Sequence, residues 1–194
     1  MVTECSKSQA ARRAVILDRD GVLNQATVVD GKPYAPRTLD DFKLVAGVHE
    51  SISLLRNAGF LLVVATNQPD VGAGIASREA VEAMNERLVR EGLCDAVYVC
   101  FHTNADRCAC RKPRAGMLLN AALDYGIDLE ASYAIGDRWR DVSAAKSVGC
   151  LSIFIDFGYV EALDPSPDVT VANLREAVDY ILTIESRRMT KGLS

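Results

Sequence analysis

The chain has 194 residues, 49% of them hydrophobic and 25% charged. That length and balance suit one globular domain and exclude a disordered or fibrous chain. A domain of this size buries roughly 70% of the surface of its unfolded chain, so its core needs no disulfide support. Twenty-two Lys and Arg against 26 Asp and Glu leave a net charge of −4. That balance argues against a non-specific grip on nucleic acid but leaves room for a local basic pocket.

Residues 1–12 are expected to form a loose tail, followed by a single domain over 13–188. Met1 to Arg13 has no apolar signal core. The longest apolar run, residues 60–65, falls far short of the roughly 20 residues that span a membrane. A cytoplasmic protein without membrane contact is therefore expected. In that reducing compartment its six cysteines read as ligands or buried thiols rather than bridges.

In chain order, residues 14–17 are a short apolar strand ending at Asp18. After a long polar connection, Val48, Ile52 and Leu55 recur at helical spacing over 48–56, with Gly59 as a stop. Residues 60–65 are a second buried strand. Ser77 caps a helix to Arg90 with Val81, Met84 and Leu88 on one face. A strand at 96–99 leads into a Cys-rich loop, followed by a helix at 116–125. A strand at 133–135, a helix at 140–147, strands at 151–155 and 169–171, and a closing helix at 174–184 complete the order. Such alternation predicts an α/β chain, a Rossmann-like doubly wound parallel sheet with helices on both faces. Ligands of such sheets bind beyond the carboxyl ends of the strands.

Four polar clusters sit at those ends. Asp18-Arg19-Asp20-Gly21 places two carboxylates on a sharp turn, where one can hold a metal and attack while the other moves protons. Thr66-Asn67-Gln68 offers a hydroxyl and amides suited to phosphoryl oxygens. Arg111-Lys112-Pro113 supplies fixed cations. Gly136-Asp137-Arg138-Trp139-Arg140-Asp141 adds a further hard oxygen ligand at Asp137 and a second carboxylate at Asp141, able to orient it or to bind through water. Each alone is compatible with a solvated turn. Their shared order is not, and it resembles the haloacid dehalogenase superfamily over about residues 14–155. That resemblance implies Asp18 as nucleophile, forming an aspartyl-phosphate, and Asp20 as general acid and base. It also implies Thr66 and Lys112 on the phosphoryl group, and catalytic Mg²⁺ on Asp18, the backbone carbonyl of Asp20, and Asp137.

Cys100, His102, Cys108 and Cys110 offer three thiolates and one imidazole, the donor set of a structural zinc site. The competing readings are a strained Cys108–Cys110 disulfide or scattered buried thiols. Zinc would place Arg111 and Lys112, which follow the last ligand. Cys5, Cys94 and Cys150 read as tail or core thiols, and His49 as an ordinary helix histidine. Trp139 either covers the site or packs.

Cys-x-His…Cys-x-Cys-Arg-Lys-Pro is more specific. It resembles two capless families, the D-glycero-D-manno-heptose 1,7-bisphosphate 7-phosphatases and the histidinol-phosphate phosphatase domains. Resemblance to the first implies substrate contacts from Asn67, Gln68, Arg111 and Arg138. It further implies a Mg²⁺-dependent phosphomonoesterase that removes the 7-phosphate of a phosphorylated sugar, with histidinol phosphate as the alternative substrate. The chain departs from the heptose pattern at Ala73-Gly74 and at Gln25 to Val28. Arg19, Arg111, Lys112, Arg114, Arg138 and Arg140 are expected to favour a substrate with a second anionic group. Asp30, Asp70 and Asp106 are the carboxylates that an amine-bearing substrate would use. No nucleic-acid partner is expected, and a monomer is the simplest expectation.

Overall fold

A computed structural model describes residues 11–191. Residues 1–10 of the expected tail, including Cys5, lie outside the described residues. The end of that segment already belongs to the domain. The Arg12 amide donates to the Gly126 carbonyl at 2.8 Å, and its carbonyl accepts from Asp128 at 2.9 Å.

The elements are β1 (Ala14–Leu17), β2 (Thr27–Val29), β3 (Lys32–Tyr34), α1 (Val48–Asn57), β4 (Leu61–Asn67), α2 (Pro69–Gly72) and α3 (Arg78–Arg90). They continue with β5 (Ala96–Cys100), α4 (Gly116–Tyr125), β6 (Tyr133–Gly136), α5 (Trp139–Lys146), β7 (Leu151–Ile155), β8 (Val169–Val171) and α6 (Leu174–Lys191). Six strands pair in the order β5-β4-β1-β6-β7-β8, and every pairing is parallel.

The order follows from strand chemistry. The central strands are apolar on both faces, as a parallel sheet covered by helices requires. Val15 and Leu17 of β1, with Leu62 and Val64 of β4, face a core built with α1, α3 and α6. Their alternating neighbours Ile16 and Ala65 pack toward α4 and α5 with Met117, Leu118, Ala144 and Ala145. The chain leaves β1 for β4 on one side and returns to β6 on the other. The crevice at the carboxyl end of β1 is therefore the topological switch point, where Asp18 lies.

Three features differ from the sequence expectation. Part of the long polar connection is a two-stranded hairpin, β2–β3, separate from the main sheet. Its turn is Asp30-Gly31, both in the left-handed region at φ 50° and 71°, the Asp-Gly pattern that two-residue hairpins favour. The short helix α2 follows Gln68. The closing helix runs to Lys191 rather than 184, past the last apolar repeat. Its continuation carries Glu185, which is buried, accepts from the Tyr133 hydroxyl at 2.6 Å and pairs with Arg13 and Arg188. No helix among the described residues is long and apolar enough to cross a membrane.

Candidate active site

Asp18 is the first residue beyond β1. Its amide donates to the Ile135 carbonyl of β6 at 2.9 Å, which fixes the backbone at the switch point. Hydrogen bonds and ion pairs to its side chain all fall on Oδ1, from the Arg19 amide at 2.7 Å and from Lys112 Nζ at 3.0 Å. Oδ2 is left for other work. Lys112 is 4% exposed, and its three ammonium protons have three acceptors. Besides Asp18 these are the Ala65 carbonyl at 2.6 Å and Asp141 Oδ1 at 2.5 Å. Burial alone would lower the Lys112 pKa, but Asp141 and Asp18 raise it above its ordinary value, so the lysine is a fixed cation.

Carboxylate oxygens of Asp18, Asp137 and Asp141 lie within 4.8 Å of one another. Burial, then the Asp141 charge, pushes Asp18 up to about 7 against the opposing pull of Lys112. Burial, then the charges of Asp18 and Asp141, raises Asp137 well above the carboxylate range. Asp137 is 1% exposed, and among the described residues neither of its buried oxygens meets a hydrogen-bond partner of good geometry, although the nearby Tyr159 hydroxyl favours its charged form. Two orphaned acceptors on a buried carboxylate are costly unless a cation meets them. An all-oxygen acidic set of this kind fits a hard divalent cation such as Mg²⁺.

The Asp20 carboxylate does not join the acidic cluster. It is held by Arg19 at 3.0–3.1 Å, by Asn24 Nδ2 at 3.0 Å and by Gln68 Nε2 at 2.6 Å. Its backbone carbonyl remains for a metal, as the resemblance implies, and Asp141 is the third carboxylate of the cluster. Asp20 is therefore a separately oriented carboxylate, as proton transfer requires.

Gly21 explains how the turn closes on the acidic cluster. Its φ is +90°, and a Cβ there would lie 2.0 Å from Asp137 Oδ2. Gly21→Ala is thus expected to cost about 1–3 kcal/mol from the backbone alone, and to weaken divalent-cation binding by displacing Asp137. Thermal unfolding and Mg²⁺ titration of the variant check both effects.

Thr66, at the end of β4, is 1% exposed, and its hydroxyl accepts from Gln68 Nε2 at 2.8 Å. Asn67 clasps the backbone of Lys112, accepting from its amide at 3.1 Å and donating to its carbonyl at 3.0 Å. Asn67 and Gln68 both line the cleft, yet their amides are committed to positioning Lys112, Asp20 and Thr66. Of the expected cations, Arg111, Lys112, Arg138 and Arg140 line the cleft. Arg19 and Arg114 do not. Arg19 is fully buried, bonded to Asp20 and to Asn85 of α3 at 3.0 Å, and Arg114 donates to the Cys108 carbonyl at 2.6 Å. The cleft measures about 250 Å³, and Ala26, Pro33 and Tyr34 of the hairpin region form one wall. Glu161 was not anticipated. No motif marks it, and it reaches the site only because the loop after β7 folds back onto Arg138.

Cys100, His102, Cys108 and Cys110 converge in the loop between β5 and α4. Their sulfurs lie 3.3–3.6 Å apart, and His102 Nδ1 is 3.6 Å from Cys100 and 3.3 Å from Cys110. A disulfide needs about 2.0 Å between sulfurs, so the Cys108–Cys110 bridge is excluded. Tetrahedral zinc–sulfur bonds of about 2.3 Å place sulfurs about 3.8 Å apart, close to the spacing here. The set fits zinc. Cys94 and Cys150 are buried in the core, and His49 is exposed, 3.6 Å from Glu91.

Comparison with known proteins agrees with this geometry. The HAD-hydrolase-like family model matches residues 109–177. The D-glycero-β-D-manno-heptose-1,7-bisphosphate 7-phosphatase of Pseudomonas aeruginosa is 37% identical over 153 residues, covering 76% of this chain and 83% of that protein. The D-glycero-D-manno-heptose-1,7-bisphosphate 7-phosphatase of Thermosynechococcus vestitus is 33% identical, covering 89% and 96%. A crystal structure of the D,D-heptose 1,7-bisphosphate phosphatase of B. bronchiseptica, complexed with magnesium and phosphate, superposes with a TM-score of 0.73. It is 30% identical and covers 88% of this chain and 98% of its own. With its acidic cluster at the switch point and its four-ligand loop, the chain belongs to the haloacid dehalogenase superfamily, in the family of the heptose-1,7-bisphosphate 7-phosphatases.

Proposed function

We propose that the protein is a Mg²⁺-dependent phosphomonoesterase that removes the 7-phosphate of D-glycero-D-manno-heptose 1,7-bisphosphate through an aspartyl-phosphate on Asp18. The observation that carries this reading is the placement of Lys112 between Asp18 and Asp141, beside an Asp137 whose two oxygens lack partners. Mg²⁺ on Asp18, Asp137 and the Asp20 carbonyl supplies the positive charge that lets a carboxylate approach a phosphate dianion.

The remaining steps belong to the chain's own residues. Asp18 Oδ1 is held by the Arg19 amide and Lys112, which orients the carboxylate and leaves Oδ2 to attack the phosphorus. Lys112 and the Thr66 hydroxyl steady the phosphoryl oxygens as charge develops on them. Asp20, clamped by Arg19, Asn24 and Gln68, gives a proton to the leaving sugar oxygen. It later takes one from the water that hydrolyses the aspartyl-phosphate. Asn67 keeps Lys112 in register through its backbone.

The amine of histidinol phosphate would need a free carboxylate away from the metal. Asp70 is the only one of the three candidates that lines the cleft, and it pairs with Arg37 at 3.3 Å. Asp106 accepts from Thr103 in the zinc loop instead. The test is Mg²⁺-dependent phosphate release from a panel containing both substrates. The heptose bisphosphate is expected to show a kcat/KM at least about tenfold higher, a gap of about 1.4 kcal/mol in transition-state binding. Equal or better efficiency on histidinol phosphate would leave only the phosphatase class standing.

A further inference from the structure

Three guanidinium groups, those of Arg111, Arg138 and Arg140, line the same cleft, but their partners differ. Arg138 has its charge met within the protein. Its Nε donates to Glu161 Oε1 at 2.7 Å and its Nη2 to Glu161 Oε2 at 2.5 Å, a two-pronged pair that cancels its charge. The pair is anchored at both ends. The Arg138 amide donates to Asp141 Oδ2 at 3.0 Å, and Glu161 follows Val160, whose amide donates to the Gly31 carbonyl of the hairpin turn at 3.0 Å. Glu161 Oε1 also accepts from the Trp139 amide at 3.3 Å.

Arg111 and Arg140 are different. Arg111 gives Nε to Asn104 at 2.8 Å, but its Nη1 is buried with no partner. Arg140 makes no ion pair and no side-chain hydrogen bond among the described residues. Its guanidinium rests 5.4 Å from the Trp139 ring centroid. Two guanidinium groups on the lining of one cleft, one with a buried donor unmet, favour an anion between them.

We propose that Arg140 and Arg111 form a second-anion subsite for the phosphate that is not hydrolysed, and that Glu161 keeps Arg138 out of it. This rests on the phosphatase reading above and deepens it. The neutralised Arg138–Glu161 pair retains donors on Nη1 suited to sugar hydroxyls, whereas Arg111 and Arg140 keep the charge that a phosphate requires. Glu161 is the specificity-determining residue in this division.

The test uses competitive inhibition of p-nitrophenyl phosphate hydrolysis by mannose 1,6-bisphosphate and by mannose 6-phosphate. The ratio of their inhibition constants reports the second anion alone. In the wild type the bisphosphate is expected to bind about tenfold more tightly or better. Arg140→Ala should bring the ratio toward one, and Arg140→Lys should restore part of it. Glu161→Gln keeps an acceptor for Arg138 Nε but removes the counter-charge, so the ratio should rise about threefold. A wild-type ratio near one, or a ratio that Arg140→Ala leaves unchanged, overturns the subsite. A ratio that stays level or falls in Glu161→Gln overturns the role of Glu161. Failure of the heptose bisphosphate to react, with these ratios as expected, would overturn the substrate while the subsite stands.

Discussion

Asp18→Asn is expected to lower kcat by at least about a thousandfold while the protein stays folded. The amide is nearly isosteric, and its oxygen can still accept from the Arg19 amide and Lys112 Nζ where Asp18 Oδ1 does. What disappears is the proposed nucleophile. Stability should not suffer, because burial and Asp141 disfavour charge on Asp18 more than Lys112 favours it. Removing one of three clustered carboxylates relieves repulsion in metal-free protein, so its melting temperature should match or exceed that of wild type. Asp20→Asn should also slow turnover, by about 10²- to 10⁴-fold, through loss of proton transfer. Its effect on divalent-cation affinity should be small, since the Asp20 side chain lies outside the acidic cluster. Phosphate release, thermal unfolding and Mg²⁺ titration of both variants separate these outcomes. More than about 1% of wild-type activity in Asp18→Asn would end the aspartyl-phosphate mechanism.

Fresh protein should carry about one tightly held zinc, and Cys108→Ser should lose it together with much of the activity. The loop between β5 and α4 contains no helix or strand. It is held by the four ligands, by Asn67 on the Lys112 backbone and by Asn104 on Arg111. Structural zinc contributes an apparent binding free energy of about 10 kcal/mol or more in small sites, so its loss should lower stability by several kcal/mol. Activity should fall because Arg111 and Lys112 sit one and two residues beyond Cys110, not because zinc takes part in the reaction. Metal analysis and thermal unfolding of the variant test this, with Asp18→Asn as a control that keeps its zinc. An absence of zinc in unchelated wild-type protein would overturn the site.

Elements with a strong local pattern were legible. The solid apolar run of β1, the Ser77 cap of α3, confirmed by Ser77 Oγ accepting from Ala80 at 3.0 Å, and the helical spacing of α1 and α4 appear where the sequence puts them. Local chemistry also marks what a motif can hold. Cys-x-His with Cys-x-Cys brings four donors together, and Asp18, Asp137 and Lys112 meet because each ends a strand or follows the loop beside one. The β2–β3 hairpin was less visible, since exposed strands of three residues carry little hydrophobic pattern. Its Asp30-Gly31 turn was the available signal.

The division of labour among polar groups was decided by the tertiary fold. Composition counts Arg19, Arg114 and Arg138 as cations near the site, but burial sends Arg19 to Asp20 and Asn85, and Arg114 to the Cys108 carbonyl. The loop after β7 gives Arg138 its counter-charge in Glu161, 23 positions away. Likewise Asp141 joins Asp18 and Asp137 in the acidic cluster because the first turn of α5 swings it toward Lys112, while Arg19, Asn24 and Gln68 hold the Asp20 side chain aside. Strand-end position follows from short-range apolar periodicity, which the sequence carries by itself. The charge a group presents to the cleft depends on which distant donor or acceptor reaches it first, and only packing settles that.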